Sequence, residues 1–166
     1  MRHPRPLTVL LILLILAELS VIFSLSAEDG STSGSLSLEV TRFIGRTFVP
    51  GFTRRTAAEQ IQWVNGAHPI VRKCAHFSEY TLLGVLVALT CAMTFSRSLW
   101  QALFPIAFCV LCAALDEWHQ TFVAGRSGEL RDVLIDSGGA MFGMLLCLCI
   151  RKLTRRKRIC TRNTRA

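Results

Sequence analysis

The residues best suited to chemistry lie in a short polar segment between the last two of four long apolar runs. Asp116, His119 and Gln120 follow one another at i, i+3 and i+4, so on a helix they share one face. Asp132 and Asp136 are spaced i, i+4 and share a face at the start of the next run. Ionisable side chains inside a membrane are costly and usually functional. This segment therefore predicts a polar site.

A second polar group precedes the second apolar run, where His76 and Glu79 are spaced i, i+3. Histidines and carboxylates can transfer protons or lock helices together through buried hydrogen bonds. The number of ionisable residues in the two polar groups exceeds what helix packing requires, which favours a functional site. Their spacing alone does not define a reaction. The candidate catalytic residues are His76, Glu79, Asp116, Glu117, His119, Asp132 and Asp136.

Two histidines and several carboxylates are also a possible donor set for a divalent cation. The H-x-x-E spacing of His76 and Glu79 and the D-x-x-H spacing of Asp116 and His119 each allow two ligands from one face. Such spacings are common, however, and the zinc-protease motif H-E-x-x-H is absent from the sequence. From the sequence we therefore assign neither a metal site nor a cofactor.

Basic residues flank the polar segments: Arg72 and Lys73 precede His76, and Arg126 follows Gln120. Cations beside carboxylates can hold a phosphate, such as the head group of a lipid-linked cell-wall precursor. An alternative is that these side chains extend to the phosphates of ordinary membrane lipids. The candidate binding residues are Arg72, Lys73, Tyr80, Gln120 and Arg126.

The elements that must position these residues are membrane helices. Hydrophobic residues make up 51% of the chain and the mean hydropathy is +0.43, which is too apolar for an ordinary soluble domain of this size. A span needs about 20 apolar residues. We predict an all-α polytopic bundle with four transmembrane helices, at about 7–26, 70–95, 99–119 and 131–150. Three of these helices would bring polar groups to one depth.

The connection between the first two spans is also predicted to be helical. Apolar residues from Leu36 to Phe48 recur at helical spacing and predict an amphipathic helix on the outer side. Thr56 and Glu59 have the pattern of a capping box, which opens a short helix that Gly66 would close. Pro69 then suits the first turn of the second span.

The distribution of charge predicts the orientation. The chain has 19 Lys and Arg against 11 Asp and Glu. Eleven of the basic residues, and no acid, lie in the N-terminal segment, the turn near Arg97 and the tail 151–166. Positive charge marks the cytoplasmic side, so both termini are expected in the cytoplasm, with the polar site at the outer face of the cytoplasmic membrane. A basic tail against an anionic leaflet accounts for the charge without nucleic acid.

The domain organisation follows from the same pattern. Residues 1–150 are predicted to be one membrane domain and residues 151–166 a basic cytoplasmic tail. The first apolar run also has features of a cleaved signal peptide, but its length favours a retained helix. The sequence leaves the oligomeric state open.

The polar segments resemble the VanZ-like family. The first is Arg72-Lys73-Cys74-Ala75-His76-Phe77-Ser78-Glu79-Tyr80, followed by Leu83-Gly84, and the second is Asp116-Glu117-Trp118-His119-Gln120, followed by Phe122, Gly125-Arg126, Asp132-Val133, Asp136 and Gly139. The resemblance spans roughly residues 7 to 150. It implies an integral membrane protein of a family named for a member that confers low-level resistance to the glycopeptide teicoplanin.

Three functional classes follow. A non-enzymatic envelope protein that alters glycopeptide access is the first. An intramembrane enzyme acting on a lipid-linked phosphate is the second, and a small transporter or lipid flippase is the third. The apolar inner half of each span argues against the third class. The expected partners are membrane lipids, including a lipid-linked cell-wall precursor.

Overall fold

The computed structural model describes residues 6–27 and 32–163, with the side chains of 6–27 and 37–154. These residues form helices and turns and no strand. The α-helices are α1 (Pro6–Ala27), α2 (Thr32–Phe48), α3 (Ala57–Thr94), α4 (Ser98–Gln120) and α5 (Leu130–Asn163), with a 3-10 turn at Phe52–Arg54. The predicted all-α fold is confirmed.

Four of these helices, α1, α3, α4 and the first 25 residues of α5, are long and apolar enough to cross a membrane. Their outward faces carry large apolar side chains, such as Leu13 (58% exposed), Leu134 (66%) and Phe142 (53%). A large exposed apolar surface is typical of a protein that contacts a membrane or another protein, and the length and composition of these helices fit a membrane. The prediction of four membrane-spanning helices is confirmed.

Helix α3 is the central element, because it packs against α1, α2, α4 and α5. Its contact with α5 is the most extensive and depends on small residues. A Cβ atom added to Gly84 would lie 2.8 Å from the Cα of Ala140, and one added to Gly139 would lie 3.1 Å from the carbonyl carbon of Phe77. Glycine at these positions lets the two backbones touch. The buried core between the helices includes Tyr80, Leu83 and Val87 of α3.

The predicted start of α3 is partly wrong. Thr56 and Glu59 do form a capping box: the Glu59 N–H donates to Thr56 Oγ1 (3.3 Å), and the Thr56 N–H donates to Glu59 Oε2 (2.8 Å). The helix then continues through Gly66 and Pro69 without ending. Gly66 does not adopt the left-handed conformation that a helix end favours. Pro69 removes one backbone hydrogen bond, and packing against α2, including contact of His68 with Ser37 at 2.6 Å, supports the continuous helix.

The C-terminal helix is longer than predicted. Helix α5 passes residue 150 and ends at Asn163, so part of the basic tail is helical. Residues 151–163 contain neither Gly nor Pro, and Arg, Lys and Leu are good helix formers. Nothing in that stretch stops the helix.

The candidate site lies at one end of the bundle, where α1 and α4 end and α5 begins. We call this the polar end, defined by Ser26, Gln120 and Arg126, which contact one another there. Helix α2 packs against α3 beside it. The bundle thus brings all five described helices and the loop 121–129 to one place.

Candidate functional site

A hydrogen-bond network around Asp116 ties α1, α4 and the following loop together. Asp116 is fully buried, and its Oδ2 accepts from the hydroxyl of Ser26 (2.9 Å) and the side-chain amide of Gln120 (3.1 Å). Arg126 donates to Gln120 Oε1 (3.3 Å) and to the carbonyl of Leu25 (3.1 Å). Donors from two helices therefore fix one carboxylate oxygen and leave the other to face elsewhere.

Glu117 has a different role from Asp116. It is 5% exposed, and its Oε2 accepts from the backbone N–H of Glu129 at 2.8 Å. A Cβ added to Gly128 would lie 2.7 Å from the Glu117 carbonyl oxygen, and Gly125 has a positive φ of 74°. The Glu117 carboxylate thus holds a tight loop against α4.

Three side chains from three helices meet beneath that loop: His76 of α3, Asp116 of α4 and Asp136 of α5. One donor atom of each lies within 4.8 Å of the others. Asp116 and Asp136 are 0% and 1% exposed. Among the described residues the Oδ1 atoms of both aspartates have no hydrogen-bond partner, and neither does the nearby buried hydroxyl of Tyr80. We call these three residues the His-Asp-Asp cluster.

A cavity of about 250 Å³ leads to this cluster and has basic residues in its wall. Arg72, Lys73 and Arg126 line it, together with His76 and Asp136. Lys73 forms an ion pair with Asp132, which also lines the cavity. We call this space the basic cavity. The wall therefore carries three basic side chains and three carboxylates, and it includes two members of the His-Asp-Asp cluster.

A second cavity, of about 140 Å³, adjoins the first. The two cavities share Arg72, His76 and Arg126. The second cavity is also lined by Glu79 of α3 and Val40 of α2. Glu79 Oε2 lies 3.7 Å from His76 Nδ1, too long for a hydrogen bond. The imidazole of His76 is therefore placed between both cavities and next to a carboxylate.

The structure brings together most, but not all, of the residues singled out from the sequence. Those at the basic cavity, the adjoining cavity or the cluster are Arg72, Lys73, His76, Glu79, Asp116, Arg126, Asp132 and Asp136. His119 lies apart, half-buried against α1, with its ring centroid 6.3 Å from that of Phe23. Tyr80 is fully buried in the core, and Glu117 and Gln120 are engaged in the contacts described above.

Sequence reasoning missed Ser26, Glu129 and His68. Ser26 donates to Asp116, and its only signal was a small polar residue at the end of an apolar run. Glu129 and His68 line the basic cavity. Glu129 contributes its backbone N–H to Glu117, and a main-chain contact of this kind leaves no trace in residue type.

These features are those of a multi-pass helical membrane protein in which polar residues are enclosed between the helices at one end of the bundle. The chain matches the family model VanZ/LLP1 over residues 7–151, which is most of its length, and it belongs to that family. No curated protein and no solved structure gives a significant match.

Proposed function

We propose that this protein binds the phosphate head group of a membrane lipid at the outer face of the cytoplasmic membrane. The bound lipid would be a lipid-linked cell-wall precursor, and holding it would change the access of glycopeptides such as teicoplanin. The observation that carries the proposal is the basic cavity, with Arg72, Lys73 and Arg126 in its wall.

The charge and shape of the cavity suit a phosphate. Guanidinium groups bind phosphate oxygens through paired charge-assisted hydrogen bonds, and Arg72 and Arg126 both line the space. Pockets for drug-sized ligands have volumes of roughly 300–1,000 Å³. A cavity of about 250 Å³ is therefore large enough for a phosphate or pyrophosphate group and too small for a whole glycopeptide.

The surroundings suit a ligand that keeps its tail in the membrane. The cavity lies between α3, α5 and the loop 121–129. The helices around it carry large apolar side chains on their outer surface. Helix α2 lies beside the adjoining cavity through Val40, and its Phe43 is 64% exposed. An amphipathic helix of this kind favours the membrane interface, which is the depth of a lipid head group.

Orientation and phenotype complete the proposal. Eleven basic residues and no acid lie in the N-terminal segment, the turn near Arg97 and the tail. This distribution supports cytoplasmic termini. The polar end would then face outward, where cell-wall precursors are assembled into the wall. The glycopeptide component is supported by family membership, since the VanZ family is named for a teicoplanin-resistance protein.

Binding of polyprenyl phosphate tests the proposal. The protein in nanodiscs should retain polyprenyl phosphate in preference to the uncharged polyprenol, as measured by native mass spectrometry. Arg72→Gln should lower this retention at least tenfold, because it removes a cation from both cavities. Arg131→Gln is the matched control, because Arg131 is an exposed cation at the same end outside both cavities.

Two results would refute the proposal: equal retention of the phosphate and the alcohol, or equal loss in the Arg72 and Arg131 variants. The phenotype is tested separately. Cells producing the wild-type protein should differ from cells producing Arg72→Gln in teicoplanin susceptibility at equal protein abundance. Unchanged susceptibility would remove the glycopeptide component and leave lipid binding standing.

A second candidate function is hydrolysis of a lipid-linked phosphate. The observation that favours it is the His-Asp-Asp cluster, because His76 and Asp136 face the cavity in which the phosphate would bind. Histidine and aspartate are common general acids and bases. An enzyme would release inorganic phosphate from polyprenyl phosphate, and His76→Gln would abolish the release while retaining the lipid.

A further inference from the structure

We propose that His76, Asp116 and Asp136 bind a divalent transition-metal ion such as Mn²⁺ or Zn²⁺. The site lies at the inner wall of the basic cavity and is formed by one residue from each of α3, α4 and α5. It stands on the geometry of these three side chains, so it does not depend on the identity of the lipid.

The distances are close to those of a coordination site. One donor atom from each residue lies within 4.8 Å of the other two. Zinc lies about 2.0–2.2 Å from nitrogen and oxygen ligands, so ligand atoms around it are roughly 3–4 Å apart. Side-chain movement of about 1 Å would close the three donors around an ion.

The buried oxygen atoms of the cluster need a partner. Asp116 Oδ1 and Asp136 Oδ1 lie in fully buried side chains and accept no hydrogen bond from any described residue. Within the described part of the chain, neither aspartate forms an ion pair with a basic side chain. An unsatisfied buried carboxylate is destabilising. A cation bound by both carboxylates would offset this cost.

The residues around the cluster are those that orient metal ligands. Ser26 and Gln120 donate to Oδ2 of Asp116, which leaves Oδ1 directed away from them. Glu79 Oε2 lies 3.7 Å from Nδ1 of His76, and a slightly closer approach would give the imidazole the carboxylate partner that commonly orients a metal-binding histidine. The hydrogen bonds from Ser26 and Gln120 constrain Asp116 already.

Two of the ligands also line the basic cavity, namely His76 and Asp136. The cavity provides a route by which an ion could reach the site. Three protein ligands leave at least one coordination position for water or for an oxygen of a bound ligand. One imidazole and two carboxylates suit Mn²⁺ and Zn²⁺ better than the soft Cu⁺ ion, which favours sulfur.

Metal titration of the purified full-length protein tests the site. After treatment with a chelator, the protein in nanodiscs should bind one Mn²⁺ per chain, measured by electron paramagnetic resonance of free Mn²⁺ and repeated with Zn²⁺ by elemental analysis. Asp136→Asn should weaken binding of the ion at least tenfold, because the amide keeps the shape but loses the charge. Asp116→Asn and His76→Gln should have the same effect.

Glu39→Gln is the matched control. Glu39 is an exposed carboxylate on α2 and lines neither cavity, so this variant removes an equal charge away from the cluster. Mn²⁺ should raise the melting temperature of the wild type and of Glu39→Gln, and should leave that of Asp136→Asn unchanged. Retained secondary structure in each variant would separate a lost ligand from a lost fold.

The outcomes are distinct from those for lipid binding. Arg72→Gln should bind Mn²⁺ normally while losing polyprenyl phosphate, and Asp136→Asn should lose Mn²⁺. The absence of stoichiometric binding of both Mn²⁺ and Zn²⁺ to the wild type would overturn the site. So would an equal affinity of wild type and Asp136→Asn for the ion.

Discussion

At the scale of single residues, the central feature is the unequal treatment of the two oxygens of Asp116. Its Oδ2 accepts from Ser26 and Gln120, whereas its Oδ1 has no hydrogen-bond partner among the described residues. Ser26 comes from α1 and Gln120 from α4, so the carboxylate also joins two helices. Orientation of the carboxylate and attachment of α1 therefore depend on the same hydroxyl group.

Ser26→Ala should reveal this dependence. The substitution removes a hydrogen bond to a buried carboxylate and leaves its acceptor less satisfied, at a cost of about 1–2 kcal/mol in the free energy of unfolding. Thermal unfolding in detergent should show a lower melting temperature. Ser20→Ala provides the control, because Ser20 is exposed on the same helix and donates only to the carbonyl of Leu16. Equal effects of the two substitutions would show that the Ser26 contact contributes nothing.

At the scale of elements, the position of the site depends on how closely α3 approaches α5. The two helices supply His76 and Asp136, and they touch at Gly84, Gly139 and Gly143. A Cβ added to Gly143 would lie 3.0 Å from the carbonyl carbon of Thr81. The hydroxyl of Thr81 also donates to the carbonyl of Gly139 at 3.1 Å. A change that moved α3 away from α5 at these glycines would also move His76 away from Asp136.

Two adjacent glycines allow a controlled test of this contact. Gly139→Ala places a methyl group against the Phe77 backbone and should destabilise the protein by about 1–3 kcal/mol. Gly138→Ala meets only the Phe77 ring, at 4.0 Å, and should be neutral or slightly stabilising because alanine is the better helix former. The melting temperatures of the two variants give the comparison. Tolerance of Gly139→Ala equal to that of Gly138→Ala would mean that the backbones do not touch.

At the scale of the whole molecule, the proposed function requires the polar end to face outward. The turn 95–97 between α3 and α4 lies at the opposite end from the loop 121–129, because α4 runs from one to the other. These two connections should therefore lie on opposite sides of the membrane. Both offer exposed positions for chemical labelling, at Ser96 and Ser127.

Single cysteines at these positions determine the orientation in a background that lacks Cys74, Cys149 and Cys160. Ser127→Cys should react with a membrane-impermeant thiol reagent on intact cells. Ser96→Cys should react only after permeabilisation, because positive charge holds its side of the protein in the cytoplasm. The reverse pattern would place the basic cavity in the cytoplasm and exclude an outer-leaflet ligand.

The fold class and the family could be predicted from the sequence, because both depend on local patterns of residue types. An apolar stretch long enough to cross the hydrocarbon core predicts a membrane helix, and the structure has four helices that are long and apolar enough to span a membrane. The periodicity of residues 36–48 likewise predicted α2. Local rules failed at Gly66 and Pro69, where contacts between α2 and α3 support a helix that the local sequence would interrupt.

Which polar residues contact one another depends on the packing of the helices and could not be predicted from the sequence. Spacing placed Asp116 and His119 on adjoining turns of α4, but it could not orient that helix, and Asp116 points to the centre whereas His119 packs against α1. The donors of the His-Asp-Asp cluster lie 40 and 20 residues apart in sequence. Their assembly, and the metal site that we infer from it, depend on the close contact between α3 and α5. Distances between helices are set by side-chain packing across the whole bundle, so they cannot be predicted from a local sequence pattern.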